Sequence, residues 1–135
     1  MISETINSLS EHECTRLLEA LKADLSWEWD SRFEAAMAQF PAEKKDTMGA
    51  ILENHLGPAW DGSSIDLAPE KVRRVLIRLG GIMHGQLLYA AGLPQDGILF
   101  CAWWPWGNGR TISIRLMTNP KGLPLLGALA APASG

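Results

Sequence analysis

The chain has little of what most function classes require. Its 135 residues hold two cysteines, Cys14 and Cys101, far apart and without a histidine at metal-ligand spacing. There is no disulfide framework to read and no Cys/His zinc pattern, so both thiols are expected to be small buried hydrophobes in a reducing compartment. No run approaches the ~20 apolar residues of a membrane span. The opening stretch MISETINSLSEHE lacks the basic and apolar regions of a secretory signal. No P-loop, dinucleotide fingerprint, HExxH or GxSxG motif is present. Positive charge is not in excess either. The net charge is −3 and the pI about 5.6, which argues against nucleic acid, because phosphate binding rests on clustered Lys and Arg. The one basic cluster, Lys71, Arg73, Arg74 and Arg78, reads as a solvated helix face. Together these absences predict a cytoplasmic protein with no metal, no cofactor, no membrane association and no nucleic-acid partner.

What is present is the raw material of one ordinary domain. The chain is 47% apolar and 20% charged, and a chain of this length buries roughly 68% of its unfolded surface without staples. Ser10 with Glu13 forms a capping box, and Cys14, Leu17, Leu18, Leu21 and Leu25 follow at helical spacing, predicting a helix over 11–25. Asp30 as N-cap and the stripe Phe33, Ala36, Met37, Phe40 predict a second helix over 30–40, ended by Pro41. Met48, Ile51, Leu52, His55 and Leu56 predict a third over 42–56, stopped at Gly57-Pro58. His55 then sits in a last turn that favours a cation, and His12 in a solvated first turn. Residues 59–67 read as a loop with a short strand near 63–67. From Val72 to Ala90 the helical period runs unbroken across Gly80, Gly81 and Gly85, predicting a long central helix over 69–91, with strands broken at Gly80-Gly81 as the rival reading.

After residue 97 the period changes to two. ILFCAWWPW and RTISIRLM flank Asn108-Gly109, predicting an antiparallel hairpin of 98–106 and 110–117. Its register decides which tryptophans are core. A two-residue turn at Asn108-Gly109 places Trp103 with Ile112, Ile114 and Leu116, and sends Trp104 and Trp106 to the other face with Thr111, Ser113 and Arg115. A three-residue loop with a bulge at Gly109 reverses the assignment. Asn-Gly satisfies the positive φ a type I′ turn needs at both positions, which favours the first register. The second face then mixes flat aromatic area with hydrogen-bond donors, and Arg115 lies diagonal to Trp104 for stacking. Either the apolar tail GLPLLGALAAPA covers that face or a partner does.

The expectation is therefore an α+β fold: about four helices followed by a C-terminal hairpin, in a single domain over 1–118, with a Pro/Gly/Ala-rich tail over 119–135 either strapped to it or disordered. The leading functional reading is a protein-binding module rather than an enzyme, an adaptor, inhibitor or self-associating protein. It would meet another protein, or itself, through Trp104, Trp106, Arg115, Ser113 and Thr111. The alternative is a small-molecule or glycan site, or an enzyme, built around His84, Tyr89 and the acids Glu28, Asp30 and Glu34. There a histidine beside a tyrosine would supply a base, and paired acids beside Trp27 and Trp29 would act on a sugar. Trp27 and Trp29 equally suit a role as anchors docking their loop on the core.

Overall fold

A computed structural model describes residues 6–121 and 124–130. Helix α1, Glu11–Asp24, starts at the capping box: Ser10 Oγ accepts from the Glu13 N–H at 3.0 Å, and the Glu13 carboxylate accepts from the Ser10 N–H at 3.1 Å. Its buried stripe is Cys14, Leu17, Leu18 and Leu21. Strand β1 (Glu28–Asp30) and strand β2 (Ala35–Pro41) follow, and a 3₁₀ turn, Ala42–Lys44, leads into α2, Lys45–Leu56. Met48, Leu52 and Leu56 are the buried residues of α2. Two short helices, α3 (Glu70–Arg74) and α4 (Leu76–Leu79), precede the strands β3 (Leu87–Gly92), β4 (Ile98–Pro105) and β5 (Thr111–Asn119).

The five strands form one antiparallel sheet in the order β1-β2-β5-β4-β3. The two-residue period gives each strand one side chain per face, and both faces are apolar. The first face (Ala36, Ala38, Phe40, Leu99, Cys101, Trp103, Ile112, Ile114, Leu116) packs under α1 and α2, with Leu126 of the closing 3₁₀ turn, Pro124–Ala128, in the same core. The second face (Ala35, Ala90, Ile98, Phe100, Ala102, Met117) packs under Val72 and Val75 of the α3–α4 segment and under Ile65.

This is an α+β fold with strands interspersed among helices, not four helices followed by a hairpin. Residues expected as a helix over 30–40 form the end of β1, a turn and β2. Asp30 is accordingly not a helix N-cap. Its Oδ1 accepts from the Arg32 N–H at 3.1 Å and shapes the β1–β2 turn. The expected helix over 69–91 is α3, α4, a loop and β3. Gly80 ends α4 in the left-handed region (φ 74°), and Gly81 and Gly85 also have positive φ, so the backbone cannot continue as a right-handed helix. The chain does break at Gly80-Gly81, but the rival reading of strands on both sides fits only after the break, since residues 70–79 are helical. The strand expected near 63–67 is a 3₁₀ turn, Ile65–Leu67. The last tail residues, 131–135, and residues 122–123 lie outside the described chain. No described helix is long and apolar enough to cross a membrane.

Candidate functional site

The β4–β5 hairpin pairs Trp104 with Ser113 and Pro105 with Ile112. This is the register expected of the two-residue turn, but the turn itself differs. The Gly109 N–H donates to the Trp106 carbonyl at 3.1 Å, and Gly109 has φ 72° while Asn108 keeps a negative φ. A type I′ turn would need both positive. The Asn108 side chain instead accepts from the Arg110 N–H at 2.8 Å and closes a four-residue loop between Trp106 and Thr111.

Register places the second face in rows across β4, β5 and β2. Trp106, Thr111 and Pro41 make the row nearest the turn, then Trp104, Ser113 and Gln39, then Ala102, Arg115 and Met37. The α3–α4 layer covers the rows beyond, over Phe100, Met117 and Ala35. The half of the face nearest the turn has no helix over it among the described residues. Trp106 is 43% exposed, Pro41 and Gln39 are exposed, and Thr111, Trp104 and Met37 are half-buried. The closing turn of the tail packs with the α1–α2 core through Leu126, so residues 124–130 are not the cover of this face.

One polar constellation anchors the open half. Arg115 Nε donates to Asp30 Oδ2 at 2.9 Å and Nη1 to Ser113 Oγ at 2.6 Å, while the guanidinium lies 4.6 Å from the Trp104 ring centroid. The Arg115 and Asp30 side chains are only 11% and 9% exposed. Burial pushes the Asp30 carboxyl up, but the hydrogen bonds from Arg115 and the Arg32 N–H outweigh it and hold it below the ordinary aspartate value. Phe33, on the β1–β2 turn, meets Trp104 edge-on at 5.3 Å. Arg78 fixes that turn: it donates to the carbonyls of Thr118 and, at 2.9 Å, of Phe33.

Of the sequence-derived contact residues, Trp104, Trp106, Thr111, Ser113 and Arg115 do share a face, yet not as equals. Ser113 is buried, and Arg115 is committed to Asp30 and Ser113. Met37, Gln39, Pro41 and Phe33 were not foreseen on this face. The alternation of Ala36, Ala38 and Phe40 against Met37 and Gln39 was the available signal, masked by an equally good helical stripe.

The alternative site does not assemble. His84 is exposed in the loop before β3, lining a hollow of about 620 Å³ with Asp61, Ser63 and Gln86. Tyr89 is buried under the first-face helices against Trp103, and burial pushes its hydroxyl up to about 12. Glu28 is exposed on β1, Asp30 is bound to Arg115, and Glu34 pairs with Lys121 at 3.3 Å. Among the described residues no three His, Cys, Asp or Glu side chains cluster to hold a metal ion. Cys14 and Cys101 are buried, and burial raises both thiols above the ordinary value. The basic cluster is partly structural: Arg73 caps the Ala68 carbonyl, Arg74 pairs with Glu70, and Arg78 holds the β1–β2 turn.

No family model, curated protein or solved structure matches this chain.

Proposed function

We propose that the chain is a small protein-binding module whose contact surface is the open half of the second sheet face. The observation that carries this reading is the two-row platform of Trp106, Thr111, Pro41, Trp104 and Gln39. There an exposed tryptophan lies beside half-buried aromatic area on a sheet face whose far rows, over Phe100, Met117 and Ala35, are helix-covered. Aromatic residues dominate the energetics of protein contacts because they bury large area at small entropy cost. The buried Asp30–Arg115–Ser113 set holds the floor rigid, so little ordering is left to be done on binding.

A photoreactive phenylalanine analogue placed at Gln39, and separately at Arg16 on the exposed side of α1, tests the assignment in cells. Cross-links to a defined protein from position 39 and none from position 16 are expected, with the position-39 product lost in Trp106→Ala. Cross-linking from position 16 alone would move the contact to the helical layer and end this reading.

A further inference from the structure

We infer that Asn108 is a site of spontaneous covalent modification: in the folded chain its side-chain amide closes onto the Gly109 nitrogen, and water opens the ring to an aspartyl or isoaspartyl residue. This chemistry does not depend on the contact proposed above. The Gly109 nitrogen attacks Cγ of Asn108, a C–N bond forms, and the side chain's own C–N bond breaks. The amino group leaves as ammonia, carrying the proton that the Gly109 nitrogen gave up. One water then adds to either carbonyl of the five-membered imide. Cleavage at Cγ leaves an ordinary aspartyl residue, and cleavage at the backbone carbonyl leaves the chain running through Cβ and Cγ. Water is the only co-reactant, and no electron changes hands.

The structure separates Asn108 from the other three asparagines of the chain. Asn119 precedes Pro120, whose nitrogen has no proton to lose. Asn54 lies in α2, where the next N–H belongs to the helix ladder. Asn7 is tied down by its carbonyl, which accepts from the Gly92 N–H at 2.7 Å, and the next residue, Ser8, carries a Cβ beside the attacking nitrogen. Asn108 has none of these bars. It sits in the exposed loop between β4 and β5, and the residue after it has no Cβ. Nothing lies within 4 Å of where a Cβ would stand at Gly107 or Gly109, so water reaches the loop from both sides.

The bonds of the turn leave the reaction open. The Arg110 N–H donates to Asn108 Oδ1 at 2.8 Å. That oxygen takes the negative charge when the Gly109 nitrogen attacks, so a donor already aimed at it stabilises the tetrahedral intermediate. No hydrogen bond among the described residues holds the Asn108 amino group that must leave. Opposing the attack is the bond from the Gly109 N–H to the Trp106 carbonyl, at 3.1 Å near the long end of the ordinary range and at a site where water can replace it. The two products differ in what they do to the turn. The aspartyl form keeps an oxygen on the Arg110 N–H and adds a negative charge beside the Arg110 side chain. The isoaspartyl form adds one carbon to the backbone, roughly 1.5 Å of chain. The Gly109–Trp106 bond then no longer closes, and Trp106 is re-aimed.

The full chain is held in mildly alkaline buffer, its fold followed by circular dichroism, beside a synthetic peptide of the sequence Trp104–Ile112. Mass spectrometry of proteolytic fragments reads the change from amide to acid at each asparagine, with fragmentation that separates the two isomers. Asn108 is expected to convert in the folded chain within tenfold of its rate in the peptide and at least tenfold faster than Asn7 or Asn54. The rate should rise with hydroxide and both isomers should form. Asn108→Gln, which would have to close a larger ring, is expected to abolish the conversion at this position. In the purified isoaspartyl form the Trp106 indole N–H signal should shift by NMR while that of Trp103 stays. Conversion in the peptide with a folded chain more than tenfold slower would mean that the turn protects Asn108, and would overturn the inference. So would no conversion in either, or conversion of Asn7 or Asn54 as fast as Asn108. An unmoved Trp106 signal in the isoaspartyl form would overturn its effect on the tryptophan.

Discussion

Trp103, Trp104 and Trp106 lie within four positions, and the strand's period sends Trp103 alone to the helix-covered face, where it meets Phe40 at 5.4 Å and Tyr89 at 6.1 Å. It is 6% exposed. Trp103→Ala should therefore cost about 3–5 kcal/mol, the range for an aromatic removed from a packed core. Trp106→Ala should stay within about 0.5 kcal/mol, because the ring is not packed into either core cluster. Urea denaturation of the two variants measures the contrast directly, and similar midpoints would mean the register is misread. The Asp30–Arg115 pair is the other residue-scale feature with a measurable sign. Breaking a sealed ion pair costs about 3–5 kcal/mol. This one keeps slight solvent contact, so Asp30→Asn should cost about 2 kcal/mol near neutral pH. The folded carboxyl is held below its unfolded value, so its stabilisation is complete above the unfolded pKa of about 3.9 and fades as pH falls through the folded one. Denaturation midpoints of wild type and Asp30→Asn should accordingly converge between about pH 5 and pH 2. A gap that stays constant over that interval would mean the charge on Asp30 is not what stabilises.

At the scale of elements, the loop before β3 and the β1–β2 segment are where period reading and structure part. Val72 through Ala90 satisfies a helical stripe, yet the stripe is assembled from α3, α4, a loop and β3: Val72, Val75, Leu76, Leu79, Ile82 and Ala90 face one core, Leu87 faces the other, and Met83 is exposed. A sheet apolar on both faces removes the polar alternation that identifies a strand, so LLYAAG and AAMAQF read equally well as helix. β5 was legible because Ser113 and Arg115 interrupt its apolar face, and α1 because its cap and stripe agree. The shared face of Trp104, Trp106 and Arg115 followed from the hairpin register. Its β2 half did not, because it depends on a long-range strand pairing between residues 35–41 and 111–117. Gly81 separates the two readings of its segment by the sign of one substitution. In a helix, Gly81→Ala would stabilise by about 1 kcal/mol. In this loop, φ is 95° and nothing lies within 4 Å of the new Cβ, so the backbone conformation alone decides. A loss of about 1–2 kcal/mol in a thermal or chemical melt is expected, and a gain would restore the helix.

For the whole molecule, the question is whether the edges of its five-stranded sheet are open to pairing with another copy. Each edge is closed by a different device. On the β3 side, Gly92 exchanges hydrogen bonds with Asn7 and Leu9, and Leu88 with Trp60, so short pieces of chain occupy the edge. On the other side β1 is three residues long, and β2 runs past it only through Gln39 to Pro41. A short edge strand and an edge proline both deny a neighbour its ladder. This matters to the proposed contact, because an open sheet edge next to an exposed Trp106 would favour self-association over capture of a partner. Pro41→Thr tests the point, since threonine keeps the extended conformation and adds an outward N–H beside Gln39. The variant is expected to keep the wild-type circular dichroism while showing concentration-dependent association by sedimentation over about 10–500 μM, where the wild type stays a single species. If the two sediment alike across that range, proline is not what keeps this edge closed, and the three-residue length of β1 suffices.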